Sequence, residues 1–340
     1  MRTRSKFLVA VLSAGLIAGS TVPASAADLI ASGSSFAYKY VTACKSGTGH
    51  SITYSSTGSG TGRSQFQAGT TDFGASDAAS ALTGVDGKYQ YIPFTGGPVG
   101  ILYNNKDAKT ALNLDATTIA KIFRGVITTW DDAAIKALNP KVALTSKPIT
   151  VVYRNASSGT SEGFTKYLNA VVPTIWTKAG SSTFTSSAPT LPRNKKGAAN
   201  SQVLVNTVKN SAYSIGYADI SDASGIKGLA FANVKNENGQ FLAPTAATSG
   251  KFLDVFTTTD PLKGVTVDYT KQVSGGYNLS IFTYAIAPIN GGKKSGSNVA
   301  AVKEAVTYLI SGCTKGKALG YAPLSGELKT AALALAAKIG

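Results

Sequence analysis

Three short segments concentrate the kinds of donor that hold an anion without a metal: TGSGTGRS (Thr57–Ser64), DFGASDA (Asp72–Ala78) and RNASSGTS (Arg154–Ser161). Glycine lets backbone N–H groups approach closely, Ser and Thr add hydroxyls, and Arg154 adds one charged fork. Asp77 is the exception among these donors, because a carboxylate repels a bound anion unless that anion still has a proton to donate. The combination points to capture of hydrogen phosphate rather than sulfate.

Each part taken singly has a plainer reading. The glycine run lacks the lysine of a P-loop and the spacing of a dinucleotide site, so alone it reads equally as a flexible turn. Asp77 alone also reads as a helix cap, and Arg154 alone as a solvated or structural arginine. No G-x-S-x-G elbow surrounds Ser158 and His50 is the sole histidine, which disfavours a Ser-His-Asp triad. Cys44 and Cys313 are the only cysteines, so zinc sites built from Cys and His are nearly excluded and no metal or cofactor is expected.

The elements that must position these loops alternate between strand and helix signals, which argues an α/β sandwich. Strands are expected at Asp28–Ala31, Ser51–Tyr54, Asp72–Ser76, Pro148–Tyr153, Ser214–Ala218 and Leu279–Ala287. Helices are expected from Phe36 to Cys44, capped by Ser34 or Ser35, at Gln65–Ala68, and from Glu162 to Leu168 behind Ser157 or Ser158. Further helices are expected at Thr117–Phe123, Asp131–Leu138, Asn200–Val208 and Val299–Ile310, and 236–264 is expected to be a variable surface excursion. Each anion loop thus falls between a strand's carboxyl end and a helix start, where ligands bind in open α/β folds.

The ends and the charge bound the setting. Residues 1–26 read as a secretory signal: Arg2, Arg4 and Lys6 precede an apolar run from Phe7 to Gly19, and Ala24-Ser25-Ala26 offers a cleavage site before Ala27. No Cys stands at that site, so no lipid anchor is expected there, and no later stretch is apolar enough to span a membrane. A net charge of +16 can speed the arrival of small anions or adsorb to an anionic envelope. Nucleic acid is not expected as a partner, because the basic residues are scattered and the chain is exported. In an oxidising compartment the two cysteines read first as a disulfide, with two buried thiols as the alternative.

From GSSF (Gly33–Phe36) through TGSGTG and DFGASDA to ATTIAKIFRGVITTWDDAAIKALNP (Ala116–Pro140), RNASSGTS and SIGYAD (Ser214–Asp219), the order and spacing resemble the PstS-type periplasmic phosphate-binding proteins, including the exported DING-type proteins. The resemblance covers nearly the whole chain after the signal, and IFRGVITTWDD and the SSGTS loop are its specific parts. It implies a two-lobed α/β periplasmic-binding-protein fold of type II-like topology, with mixed sheets flanked by helices and two hinge crossovers, near Phe94–Pro98 and near Asn278–Ser280. Residues 27–95 and 280–340 then form lobe one, and 96–279 form lobe two. Carried over by position, Ser35 and Phe36 form the first anion loop, Ser59 the second loop's hydroxyl, Asp77 the acceptor for the phosphate proton, and Arg154 the charged fork. Ser158, Gly159 and Thr160 supply the donors at the third helix start. The chain departs from the family at Ala156, where an Asp normally pairs with the arginine. The same topology returns Cys313 to the lobe of Cys44, implying a disulfide between them.

The reading that follows is an extracytoplasmic phosphate-binding protein, a monomer and not an enzyme, that delivers phosphate to the membrane permease of an ABC importer. A Gram-negative periplasm is the expected compartment, with secretion beyond it as a variant. The alternatives are an envelope-associated or secreted phosphate scavenger or adhesin and, less favoured, a phosphatase.

Overall fold

The computed structural model describes residues 26–85, 87–292 and 298–340; the expected signal segment, Ala26 apart, lies outside the described residues. Twelve strands are present among them: β1 (Asp28–Gly33), β2 (Ser51–Ser55), β3 (Phe73–Ser76), β4 (Tyr89–Asn104), β5 (Asn113–Leu114), β6 (Thr150–Arg154), β7 (Lys195–Ala198), β8 (Ser214–Asp219), β9 (Ala230–Phe231), β10 (Asn233–Lys235), β11 (Phe241–Leu242) and β12 (Ser280–Pro288). The large sheet runs β2-β1-β3-β12-β4-β8-β6-β7, with β9 also pairing with β4, and a small sheet runs β11-β10-β5. β1, β2 and β3 are mutually parallel, as are β6, β7 and β8, while β4 and β12 run antiparallel to their neighbours. The fold is therefore a mixed α/β arrangement.

β4 joins the two halves of this sheet. Its first part pairs with β12, from Tyr89↔Pro288 to Pro98↔Ser280, and its second part pairs with β8, from Val99↔Asp219 to Asn104↔Ser214. The ladder partner changes between Pro98 and Val99. Proline has no N–H to give to a ladder, and accordingly Pro93 flanks the irregularity at Phe94 while Pro98 is the last β4 residue paired with β12. Every residue of β4 is buried, the polar Gln90, Thr95 and Asn104 included, which explains why it reads with no regular polar and apolar alternation.

The first helix starts at Tyr38 rather than Phe36 and has no side-chain cap, although Ser34 Oγ accepts from the Ala37 N–H at 3.1 Å just before it; other helices form where caps and apolar stripes predict them. Asp115 caps the helix Ala116–Phe123 by accepting from the Thr118 N–H at 2.7 Å, and Ile119, Ile122 and Phe123 bury its inner face. Asn298 caps Val299–Ser311 in the same way. Cys44 ends the helix Tyr38–Cys44 and is disulfide-bonded to Cys313, with Cα atoms 5.5 Å apart. Beside it the Tyr40 hydroxyl donates to the Leu309 carbonyl at 2.6 Å, a second tie between the same two chain regions.

Two expectations are corrected. The segment 236–264 is not merely a surface excursion: it contains β11 and the helix Ala246–Leu253, whose Phe252 and Leu253 enter the core. Its surface is rich in Thr, Ser, Gly and Lys, and Phe256 joins those two residues in the core just beyond the helix. The second helix begins at Ser59 within the glycine run rather than at Gln65. Gly62 explains the early start, since a Cβ there would stand 2.4 Å from the Gly33 Cα, so the helix packs against β1 only with glycine at that turn.

Candidate functional site

Four helix starts and two strand ends converge around Asp77. β3 delivers Asp77 just beyond Ser76, and β6 delivers Arg154 as its last residue. The helices Ser59–Gln67, Gly159–Val171 and Ser201–Lys209 begin beside them, and Ser34 to Phe36 lead into the helix Tyr38–Cys44. The first-turn N–H groups of such helices have no intrahelical carbonyl to meet, and the helix dipole adds positive potential there.

Asp77 accepts from four hydroxyls. Ser34 and Thr283 donate to Oδ1, the latter at 2.9 Å, while Ser59 and Thr160 donate to Oδ2 at 3.3 and 3.2 Å. The Ser59 Oγ also accepts from the Asp77 N–H at 3.2 Å. Burial pushes the carboxyl above its ordinary value, while the Ser34, Thr283 and Thr160 hydroxyls and the Arg154 charge pull it back.

Arg154 is 2 % exposed, and every atom it bonds is a neutral oxygen. Nε and Nη2 donate to the Ala199 carbonyl at 3.2 and 2.9 Å, and Nη1 donates to Ser35 Oγ at 3.1 Å and Ser158 Oγ at 3.0 Å. Among the described residues no carboxylate lies within ion-pair distance of it. The Ala199 carbonyl thus takes both Nε and Nη2 of the guanidinium, and Ala156 has no carboxylate to offer it. Burial lowers the guanidinium's pKa, which the negative potential of Tyr217, Asp77 and Asp222 opposes. A buried cation held only by dipoles is costly, and a bound anion would offset that cost.

The sequence-predicted residues Ser35, Ser59, Asp77, Arg154, Ser158, Gly159 and Thr160 are brought together. Ser158 caps its helix through the Ser161 N–H at 3.2 Å while accepting from Arg154. Gly159 is needed for closeness: an added Cβ would stand 2.7 Å from Asp77 Cβ and 2.8 Å from Ser59 Oγ. Phe36 is fully buried beneath the first loop, edge-on to Tyr321 with ring centroids 5.4 Å apart.

Sequence reasoning missed Ser34, Ser201, Tyr217 and Thr283. Ser201 shares a 2.8 Å hydrogen bond with Ser35 Oγ and also donates its N–H to that oxygen at 3.3 Å. The Tyr217 hydroxyl accepts from the Arg154 N–H at 3.2 Å and bonds Ser161 at 2.7 Å. Thr283 had a signal, as a hydroxyl inside the otherwise apolar strand IFTYAIAP; such a buried polar group needs a partner.

Comparison with known proteins agrees with this fold. A family model described as "PBP superfamily domain" matches residues 17–311. The chain is 32% identical over 305 residues to Phosphate-binding protein PstS 3 of Mycobacterium leprae, covering 85% of this chain and 80% of that protein. It is 34% identical over 243 residues to Phosphate-binding protein PstS of Pasteurella multocida, covering 70% and 69%. Among solved structures, it resembles a high-affinity periplasmic phosphate-binding protein, PfluDING, at a TM-score of 0.73 and 22% identity over 90% of this chain and 93% of that one. A phosphate-binding protein from Stenotrophomonas maltophilia gives a TM-score of 0.71 at 21% identity, again over 90% and 93%. The class is a two-lobed PBP-superfamily protein, and within it the chain belongs to the PstS family.

Proposed function

We propose that this chain captures one hydrogen phosphate ion between two lobes and delivers it to the permease of a phosphate ABC importer. The observation that carries the reading is the buried Arg154, held only by neutral oxygens among serine hydroxyls and helix starts, with Asp77 beside it. Ser35, Ser59, Ser158 and Thr160 turn their hydroxyls to the anion, the N–H groups of Phe36, Gly159 and Thr160 add donors, and Arg154 supplies the charge. Oδ2 of Asp77 accepts the phosphate proton in place of the Ser59 and Thr160 hydroxyls that it holds in this structure. Ser34 and Thr283 keep Oδ1 occupied throughout.

The lobes of this reading are 27–95 with 280–340, and 96–279. The change of ladder partner in β4 supports the first crossover. Closure and binding are then one equilibrium. The protein acts as a monomer beyond the cytoplasm, in a Gram-negative periplasm, and as a carrier rather than a catalyst; fractionating cells against culture medium separates that placement from a secreted scavenger.

Calorimetry with phosphate, sulfate, arsenate and molybdate tests the reading. One phosphate per chain, with sulfate rejected, is the expected result. No heat with phosphate, or sulfate bound equally well, would overturn it, and release of phosphate from a chromogenic ester would reinstate a phosphatase.

A further inference from the structure

Next to the anion loops, but outside them, the Tyr321 hydroxyl lies 2.6 Å from Asp219 Oδ2 and 2.6 Å from the Phe36 carbonyl oxygen. All three groups are buried. A phenol has one hydrogen, and an O···O separation this short needs a hydrogen between the two atoms. With Asp219 ionised, Tyr321 can serve one acceptor only, which leaves the other pair as two lone-pair-bearing oxygens in contact. Ser221 cannot fill the gap between Tyr321 and Phe36, because its hydroxyl lies on the far side, 2.8 Å from Asp219 Oδ2 and 3.2 Å from Tyr321.

We propose that Asp219 carries a proton in this form of the protein and donates it to Tyr321, which donates its own hydrogen to the Phe36 carbonyl, making Asp219 and Tyr321 positioning residues for the first anion loop. The strut runs from the point where β4 changes partner, since Asp219 pairs with Val99, to the loop of Ser35 and Phe36. It therefore reports on the geometry of the crossover at the place where the anion is held. The proposal rests on the phosphate reading for its binding arm only.

The charged surroundings favour the neutral acid. Burial and the neighbouring Asp222 carboxylate both push Asp219 upward, while the Tyr321 and Ser221 hydrogen bonds oppose them. Two cations face the pair from other elements. Lys39, on the helix Tyr38–Cys44, has its Nζ 3.6 Å from Asp222 Oδ1, and Arg154 acts on Asp222 from the end of β6. Gln202 donates to both oxygens of Asp222 at 3.3 Å. The cations thus engage Asp222 and keep it as the charged member, leaving Asp219 as the proton carrier. Because the strut needs the proton, the anion-bound protein holds it more tightly than the ligand-free protein does; the affinity the strut adds is complete below the ligand-free value of Asp219 and is lost as pH rises through the anion-bound value.

Asn at position 219 reproduces the donor of a protonated Asp without titrating. Phosphate calorimetry in buffers of different ionisation enthalpy, from about pH 5 to about pH 9, should show wild type taking up more protons than D219N, up to about one, in the pH window between the ligand-free and anion-bound values of Asp219, with the phosphate's own ionisation cancelling in the comparison. Across that same window the wild-type affinity should fall relative to D219N, by at most a factor of about ten per pH unit, and it should level off above it. Y321F should bind more weakly and without that relative pH dependence. Infrared difference spectra of full-length wild type against D219N and D222N, with no ligand added and at a pH below that window, should show a protonated-carboxyl carbonyl band lost in D219N and kept in D222N. A band lost in D222N instead, or absent from wild type, overturns the proposal whichever anion binds. Equal proton uptake by wild type and D219N at every pH in that range overturns it as well.

Discussion

Asp77 and Thr283 stand 206 positions apart and share a 2.9 Å hydrogen bond, Thr283 Oγ1 to Asp77 Oδ1. The ladder between β12 and β4 shifts register immediately after Thr283: Thr283 pairs with Thr95 but Tyr284 pairs with Pro93. A bulge of this kind re-aims side chains next to functional sites. Thr283→Val removes one of four donors to a buried carboxylate, and a loss of about 1 to 3 kcal/mol in unfolding free energy is expected. Denaturant titration checks it, and Thr283→Ser should restore most of the loss.

Anion selectivity follows from the same carboxylate. Sulfate, fully deprotonated, has no proton to give to Asp77 and should bind weaker than phosphate by a factor of about 10⁴ or more. Competition calorimetry at neutral pH decides it: sulfate within tenfold of phosphate would remove Asp77 from the role of proton acceptor. Asp77→Asn should narrow the ratio.

Charge and neutral donors should separate by magnitude. Arg154→Ala is expected to weaken phosphate binding by about 1.5 to 3 kcal/mol and Ser59→Ala by about 0.5 to 1.5 kcal/mol. Ala156→Asp adds a carboxylate two residues from Arg154, whose guanidinium now meets only neutral oxygens, the Ala199 carbonyl among them. The salt dependence of affinity should then fall, and an unchanged salt dependence would show that the Ala199 carbonyl already does the carboxylate's job.

Gly159→Ala tests the closeness of the two loops. Its Cβ would meet Asp77 and Ser59 below 3 Å, with a side-chain root rather than a flexible tip as the nearest atom. Overpacking of about 1 to 3 kcal/mol is expected, expressed as weaker anion binding with little change in the unfolding midpoint of the ligand-free protein. A midpoint that drops while affinity holds would place the contact in the fold and not in the site.

Reduction of Cys44–Cys313 should lower the unfolding midpoint without abolishing phosphate binding. Closing a loop of 269 positions contributes stability on the order of 5 to 6 kcal/mol as an upper value. Thermal melts with and without reductant, paired with calorimetry, separate the two effects.

The site was legible in sequence wherever a donor sat in a local pattern. Ser59, Arg154, Ser158 and Thr160 stand at strand-to-helix junctions, and the glycines that free those junctions are visible as runs. Asp77 was legible because it is a carboxylate among donors. Thr283 and Tyr321 were not assigned, because their roles arise from pairing between segments far apart in the chain. β4 was equally hard to read, since a strand buried on both faces carries no alternation. The helix Ala246–Leu253 was hidden by a polar surface around two anchoring apolar residues.

The divided loyalty of β4 also sets an order of assembly. Synthesis delivers Tyr89–Pro98 long before β12, its antiparallel partner, exists, whereas β8 arrives in time to pair with Val99–Asn104. Until Ser280–Pro288 emerges, a long apolar strand edge stands open to any other chain. The nascent protein therefore passes through a vulnerable stage whose length is fixed by its topology, and a truncation short of residue 288 would leave the chain in it permanently.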